Sequence, residues 1–598
     1  MSISGHGFPG AVPLTSHGRH HVTAPSAYAL PPPPRTPSRD AAARTPSHAD
    51  ARGKPLSAFR GGGLCPMGAT LRAARAFFLL AGFYLLGLAM IAALAGIDWA
   101  AAVWAPSSLA LKVYVVSAVL AVPIVRGMFM LRTPKGDPAP GVLVTEQQEP
   151  RLWGAVRELA DEVGTRAPDE IRLTADMNAA VSEDARLLGL LGGTRRLYLG
   201  LPLMAGLTEA QLRSVLAHET GHYANSDTRL SAMTVRGRVQ VARTIAHFEE
   251  RADKKVDRER TQQEKKNAKR AAKGKAAKEV DTAGAGITYR TMAKVYRAYG
   301  RFYLRATLAS SRRQELAADL AAARIAGRDA TASALRELPA LSSAYDFYMD
   351  SYATLGVGAG LLPLPGEVFG GVRHLLAARA GELEELRRDL PTEPASPYDS
   401  HPPVAERVAR LEALPDDGRG LEGTGPALGL LADARAALEA VEKVALTPEA
   451  RRLERVDWPE LVRRSMAVYV SQGAEPLRKA TAEVTGAKPS LDALLNAVDL
   501  GVGWEIADRL PKSEEARAAT GRAAREFARP VLYRGLRGLV VSELIARGDA
   551  RFELSWSGPA QLRLAAGYDD ELDAALEAAV DDRPDTTRLR RLLSPAGA

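Results

Sequence analysis

Apolar and polar positions divide the 598-residue chain into four parts. Residues 1–70 have no apolar period and are rich in Pro, Ser, Gly and His, which predicts a disordered tail. Residues 71–135 contain two long apolar segments. Residues 145–415 alternate between strand and helix patterns, and residues 416–598 have mostly helical periodicity. We therefore expect an α+β fold that is mostly helical, with a helical C-terminal region whose sequence shows no functional motif.

The two apolar segments predict a pair of membrane-crossing helices. The first, Ala76–Ile97, carries no charge and is long enough to cross a bilayer. The second runs from about Leu109 to Leu131. It contains Lys112, Pro123 and Arg126, so a buried core helix is the alternative to a second span. Basic residues flank the outer ends of both segments, which predicts a two-span transmembrane hairpin in the cell membrane. Both termini and the rest of the chain are then expected on the cytoplasmic side.

A small α+β unit follows these segments. A helix is expected from Pro150 to Gly164, where the glycine suits a helix C-terminus. Three short strands are expected after this helix, at Ile171–Thr174, Ala179–Ser182 and Arg196–Leu199. A long helical pattern runs from about Ile287 to Ile325.

Three other stretches each have two or more interpretations. A charged insertion at about 249–281 contains the basic run Lys265–Lys278, which either contacts anionic lipid or forms a solvated, partly helical insertion. The apolar Gly/Pro stretch Leu355–Gly371 is too short to span a bilayer. It either lines a substrate groove, enters the lipid or packs as an ordinary loop. The tail histidines either bind metal or belong to a solvated leader.

A strand is expected at Phe552–Trp556.

Composition and charge exclude several kinds of site. The chain has 79 basic and 70 acidic residues, a net charge of +9 that is modest for this length. Because no nucleic-acid recognition motif accompanies this charge, no nucleic-acid partner is expected. Cys65 is the single cysteine, so the chain forms no internal disulfide and no multi-cysteine zinc site.

The most informative stretch is a helical pattern that starts at Thr208 and contains the sequence His218-Glu-Thr-Gly-His222. Thr208 and Gln211 form a capping-box pattern at its start. Histidines at positions i and i+4 lie on one helix face, where both can bind a single metal ion, and Glu219 lies beside them. The alternative is a pair of core histidines on an ordinary helix. A catalytic zinc ion takes three protein ligands, so a third one is needed.

Two later carboxylates are candidates for completing such a site. Glu315 and Asp319 are four residues apart in the run Gln-Glu-Leu-Ala-Ala-Asp-Leu-Ala-Ala. This setting is unusually apolar for two acidic residues. Since buried carboxylates seldom lack a partner, a metal ion or a histidine would account for both of them.

Four blocks in a fixed order carry a resemblance to a known family. The blocks are Asn178-Ala179-Ala180-Val181, Leu216-Ala-His-Glu-Thr-Gly-His222, Glu315-Leu-Ala-Ala-Asp319 and Ser400-His401-Pro402-Pro403 with Arg407 after it. With these blocks, residues 145–415 resemble the membrane-anchored zinc peptidases of the HtpX heat-shock protease and CAAX prenyl protease type, which are gluzincins. Two departures are Ala180, where an aromatic residue is usual, and Thr220, which we expect on a solvent-tilted position.

The resemblance implies a role for each matching residue. His218, His222 and Glu315 would bind one zinc ion per chain, and Glu219 would act as the general base toward a metal-activated water. Asp319 would orient a ligand histidine.

The remaining blocks of the resemblance concern the substrate. His401 or Arg407 would stabilise the oxyanion or the substrate backbone. The strand that contains Asn178, Ala179, Ala180 and Val181 would pair with an extended peptide.

The function expected from these features is that of a membrane-tethered zinc endopeptidase. Its substrates would be membrane-associated or misfolded proteins, and its other partner would be the lipid bilayer. A catalytically inactive scaffold of the same fold, acting through protein–protein interaction, is the alternative. Processing of prenylated peptides is less favoured, because two spans are too few to build a lipid-facing chamber. The sequence does not indicate an oligomeric state.

Overall fold

The structure is a computed structural model, and it describes residues 66–129, 141–183, 193–224, 227–273, 286–390, 402–419, 425–568 and 571–594. The disordered tail expected at 1–70 lies almost entirely outside these residues. So do His401, the last part of the charged insertion and the basic residues that follow the second apolar segment. The described part of the chain is mostly helical with three small sheets, in agreement with the expected fold class.

Two apolar helices come first, α1 (Pro66–Trp104) and α2 (Ser107–Phe129). By length and composition, one helix in the described residues could cross a membrane, and its apolar window is Ala81–Trp104. The apolar part of α2, Ser107–Val122, is shorter than a span. A single apolar helix near the N-terminus is weak evidence for membrane association, so the predicted two-span hairpin is not confirmed.

A four-stranded sheet follows, with strand order β1-β2-β4-β3. Its elements are β1 (Val142–Val144), α3 (Pro150–Val163), β2 (Glu170–Thr174), β3 (Ala179–Glu183), β4 (Arg195–Gly200) and α4 (Leu201–Gly206). The three predicted strands are confirmed to within one residue at each end. The predicted helix is also confirmed, and Gly164 ends it in the left-handed conformation that glycine adopts without strain. The sheet pairs β2 with β4 in parallel and β3 with β4 antiparallel, so β3 lies at the sheet edge.

Four helices build the rest of the first half of the chain. They are α5 (Glu209–Ala224), α6 (Asp227–Ala271), α7 (Ile287–Ala326) and α8 (Arg328–Tyr348). The predicted long helix is α7, and the charged insertion is helical as far as Ala271. Helices α6 and α7 pack against each other and against α1, sharing a core that contains Phe83, Phe248 and Tyr296.

The chain forms two compact units. Among the described residues, one unit contains those from 66 to 339 and from 387 to 432, and the other contains those from 340 to 386 and from 433 to 594. The first unit ends with α12 (Val404–Glu412) and a short 3₁₀ turn that packs on α5.

The second unit combines a short early segment with the C-terminal region. Its remaining helices are α9 (Glu367–Gly370), α10 (Val372–Ala378), α11 (Ala380–Arg388, which extends just past the boundary), α13 (Ala434–Ala445), α14 (Trp458–Thr485), α15 (Leu491–Asp499), α16 (Gly503–Asp508), α17 (Glu514–Ala518), α18 (Gly521–Arg547), α19 (Leu572–Ala579) and α20 (Thr587–Leu593). Its strands are β5 (Leu361–Pro363), β6 (Glu454–Val456), β7 (Ala550–Glu553) and β8 (Gln561–Leu564).

One expectation for this unit needs correction, and for another stretch the structure favours one of the open interpretations. The strand expected at Phe552–Trp556 begins two residues earlier, because β7 pairs with β8 from Ala550 to Glu553. The stretch Leu355–Gly371 contains β5, whose three residues are all buried and pair with β6. Of the three interpretations, these contacts favour a packed segment of the second unit.

Candidate metal centre

Helix α5 carries the two histidines and begins with a well-defined N-terminal cap. The backbone N–H of Thr208 donates to the Gln211 side chain, and the Gln211 N–H donates back to the Thr208 hydroxyl, which completes the predicted capping box. One helical turn separates His218 from His222, and their Nε2 atoms lie 3.2 Å apart. His218 is buried, whereas the His222 side chain is 28% exposed, so one side of the pair faces solvent.

Glu315 of α7 lies beside both histidines. One of its carboxylate oxygens is 3.5 Å from the Nε2 atom of His218, and the other is 3.7 Å from that of His222. All three groups offer ligand atoms within 4.8 Å of one another. Two ligands of a tetrahedral zinc ion, each about 2.1 Å from the metal, lie about 3.4 Å apart. The Nε2–Nε2 distance and the shortest distance from each histidine to the carboxylate are close to that spacing, so these three residues lie near enough to one another to hold one zinc ion.

Small residues allow α5 and α7 to approach closely enough for this contact. A Cβ atom on Gly221 would lie 3.5 Å from the Ala321 Cβ and 3.7 Å from the Ala318 Cα. Gly221 lies between the two histidines in the sequence, and Ala318 lies one turn after Glu315. The alanine-rich pattern of α7 therefore places Glu315 at the histidines.

Asp319 connects the ligands to a buried arginine. Its carboxylate lies 3.0 Å from His218 Nδ1 and accepts two hydrogen bonds from Arg407 of α12, at 2.6 and 2.8 Å. Burial alone would raise the pKa of Asp319. The hydrogen bonds from Arg407 and His218 outweigh burial and lower the pKa below its ordinary value. An ionised Asp319 keeps the Nδ1 proton of His218 in place and leaves Nε2 free to bind a metal.

Glu219 is buried on α5 directly after the first histidine. Its neighbour Thr220 is also buried, and the Thr220 hydroxyl donates to the Leu216 carbonyl at 2.6 Å. The expectation that Thr220 is tilted toward solvent was therefore wrong. A threonine is accommodated here because its hydroxyl finds a partner within the helix.

The residues expected to bind substrate lie at the sheet edge. Ala179, Ala180 and Val181 belong to β3, which packs against α5, and Asn178 precedes the strand and accepts a hydrogen bond from the Gly200 N–H. His401 lies outside the described residues, so its expected role has no structural account.

Arg407 is the residue whose placement differs most from its expected role at the oxyanion. It is 2% exposed, and its guanidinium contacts Asp319, with Glu315 at 3.9 Å. One sequence signal could have indicated this burial. Arg407 shares a helix face with Val404, Val408 and Leu411, and an arginine within such an apolar stripe usually pairs with a buried acid.

Two histidines on one helix and a glutamate from a later helix form a group that could hold a metal ion, as in many zinc peptidases. The model of one family, Peptidase family M48, matches residues 146–414, a segment that contains all of these residues. The match confirms the resemblance over this segment, which is that of a metallopeptidase. No curated protein and no solved structure significantly matches the chain.

Proposed function

We propose that this protein is a zinc-dependent endopeptidase held at a membrane by its first apolar helices. The observation that carries the proposal is the convergence of His218, His222 and Glu315 at separations suited to one tetrahedral ion. When bound, a zinc ion would lower the pKa of a water molecule and polarise the scissile carbonyl.

The chain's own residues supply the remaining steps. The Glu219 carboxylate would accept the proton of the attacking water and deliver it to the leaving amine. Asp319, fixed by Arg407, would keep His218 in one tautomer and orientation. The edge strand β3 would pair with an extended substrate through main-chain hydrogen bonds. His401 remains a candidate for stabilising the oxyanion.

Location restricts the substrates. Tethering through α1 and α2, on the cytoplasmic side expected from their basic flanks, would limit the enzyme to membrane-associated or misfolded proteins. This part of the proposal is supported by the apolar window Ala81–Trp104 and by the basic residues around the two apolar segments.

The test combines metal analysis with proteolysis of an unfolded substrate such as casein. The purified full chain is expected to contain about one zinc ion and to cleave casein. Glu219→Gln should keep the zinc and lower the rate by roughly 100-fold or more, because it removes the general base but no ligand. Glu209→Gln, in the first turn of the same helix, is the matched control and should stay within two-fold of wild type.

Two results would contradict the proposal. Undiminished cleavage by Glu219→Gln would exclude Glu219 as the base, and a wild-type chain without metal would exclude the centre itself. A chain that binds one zinc ion but cleaves no peptide would instead support the inactive scaffold of the same fold.

A further inference from the structure

Helix α7 carries a row of basic residues on the face opposite its aromatic core. The five residues Arg290, Lys294, Arg297, Arg301 and Arg305 recur at spacings of three or four, so they lie on one helix face, and all are exposed. We call them the cationic face of α7. They project away from the core that α7 shares with α1 and α6.

The positive charge on this face is only partly balanced. Arg297 forms an ion pair with Glu249 of α6, and Arg290 lies 3.9 Å from Asp253. For Lys294, Arg301 and Arg305, no acidic side chain in the described part of the chain lies within ion-pair distance. An unbalanced cationic row of this kind attracts anionic surfaces.

The same helix bundle also exposes apolar surface. On α1, Phe78 is 71% exposed, Leu85 is 64% exposed and Leu88 is 54% exposed. Alongside them, Phe83 contacts Tyr296 and Tyr299 of α7, and the Tyr299 hydroxyl donates to the Leu79 carbonyl. Exposed apolar side chains of α1 and exposed cations of α7 therefore lie at similar heights along the helix bundle. Elements that lie at a lipid–water interface combine the two kinds of side chain in this way.

This arrangement restricts how the bundle meets a bilayer. The core shared by α1 and α7 extends from Phe83 to Leu94 on α1 and from Tyr289 to Tyr299 on α7. An upright α1 that entered the hydrocarbon at Ala81 would carry Arg290 and Lys294 into it as well. A charged side chain placed in the hydrocarbon is costly. A bundle that tilts toward the membrane surface would avoid this cost and keep the cationic face among the headgroups.

We propose that the cationic face of α7 binds the anionic phospholipid headgroups of the bilayer that α1 enters. The proposal rests on the membrane attachment proposed above and is independent of peptidase activity. Continuity with the exposed apolar surface of α1 favours a bilayer over a soluble polyanion, which offers nothing for Phe78, Leu85 and Leu88 to contact.

The experiment places a fluorophore within the face. Ala298 is exposed between Arg297 and Arg301, so Ala298→Cys in a Cys65→Ser chain is labelled with an environment-sensitive dye such as NBD. The full chain is reconstituted into nanodiscs of phosphatidylcholine, with or without 30 mol% phosphatidylglycerol. Quenchers are attached either to lipid headgroups or to the middle of the acyl chains.

We expect headgroup quenching to rise at least three-fold with phosphatidylglycerol and to fall again in 1 M salt, where screening is strong. The triple variant Lys294→Gln, Arg301→Gln, Arg305→Gln should lose this response. A matched triple variant, Lys265→Gln, Lys266→Gln, Lys269→Gln, removes the same charge from exposed positions of α6 and should keep it.

Several outcomes would overturn the proposal. Headgroup quenching that does not change with phosphatidylglycerol would show that the face does not bind anionic headgroups. Quenching that is strongest from the middle of the acyl chains would place the face outside the headgroup layer. Loss of the response only in the α6 variant would assign lipid contact to the basic run there. If soluble polyglutamate changed the NBD fluorescence as much as phosphatidylglycerol does, the cationic face would be a binding site for an acidic polymer instead. Failure of the full chain to float with vesicles would remove the membrane attachment itself and leave the peptidase proposal standing.

Discussion

The contact of Arg407 with Asp319 joins two charges that have almost no access to water. Replacing Arg407 with methionine keeps much of the side-chain volume but removes the guanidinium that pairs with the buried Asp319 carboxylate. Breaking one side of a buried ion pair costs about 3–5 kcal/mol. Arg407→Met should lower the free energy of unfolding by that amount and weaken zinc binding by about 10- to 100-fold. Denaturant unfolding and competition with a chelator measure the two effects.

The matched control lies on the same helix. Arg410 pairs with Glu406 at 2.9 Å, and both side chains are about half exposed. Because exposed pairs contribute little, Arg410→Met should change unfolding by less than about 1 kcal/mol and leave zinc affinity unchanged. If Arg407→Met behaved like Arg410→Met, Asp319 would not depend on Arg407.

At the residue scale, the sequence predicted the local parts of the centre and missed a distant one. The spacing of His218 and His222 depends only on helix geometry, so it could be read directly. Glu315 was identified through an apolar setting and a resemblance, and it does lie at the histidines. Asp319, the partner of Arg407, lies 88 residues away from it in the chain. Sequence periodicity does not predict a contact between residues that are so far apart.

At the scale of helices, the centre depends on how closely α5 approaches α7. A Cβ on Gly221 would make ordinary contacts with Ala321 and Ala318. Gly221→Ala should therefore bind zinc normally and gain up to about 1 kcal/mol from the reduced flexibility of the unfolded chain. Gly221→Leu should force the helices apart, cost about 1–3 kcal/mol and move Glu315 away from both histidines. Zinc content and thermal unfolding of the two variants test this.

The comparison of alanine with leucine separates packing from helix propensity. Both residues favour helices more than glycine does, so a loss of zinc in Gly221→Leu alone indicates displacement of α7. Equal zinc content in both variants would show that the helices adjust without disturbing the ligands.

The elements differ in how well the sequence predicts them. The helix of Pro150–Val163 and the strands β2 to β4 have clear apolar periods and turn residues at their ends, so their bounds were accurate. The strand β1 was missed because three residues are too few to show a period. The strand near Phe552 was misplaced by two residues because its pairing with β8 sets its limits.

At the scale of the whole molecule, the C-terminal region folds together with an earlier segment of the chain. The segment Ala340–Leu386 belongs to the same unit as the residues from Asp433 onward. Leu361 pairs with Glu454 in adjacent strands, and the Tyr352 ring stacks on Trp556. The Arg379 side chain also donates to the Trp556 carbonyl. Sequence periodicity cannot reveal such long-range pairing, and the early segment also lies within residues 146–414, which the family model matches.

A chain that ends at Ala432 tests this architecture. It would expose Leu361, Leu362 and the other buried residues of the early segment, and it would remove the Glu442 carboxylate that accepts hydrogen bonds from the Gly366 and Val368 N–H groups. Unsatisfied backbone groups and exposed apolar surface favour aggregation. We therefore expect the shortened chain to aggregate in detergent that keeps the full chain monodisperse, as measured by size-exclusion chromatography. Co-expression of residues 433–598 as a separate chain should restore the monodisperse state, because it returns β6, Glu442 and Trp556. A shortened chain that is monodisperse and binds one zinc ion by itself would instead make the C-terminal region a dispensable addition.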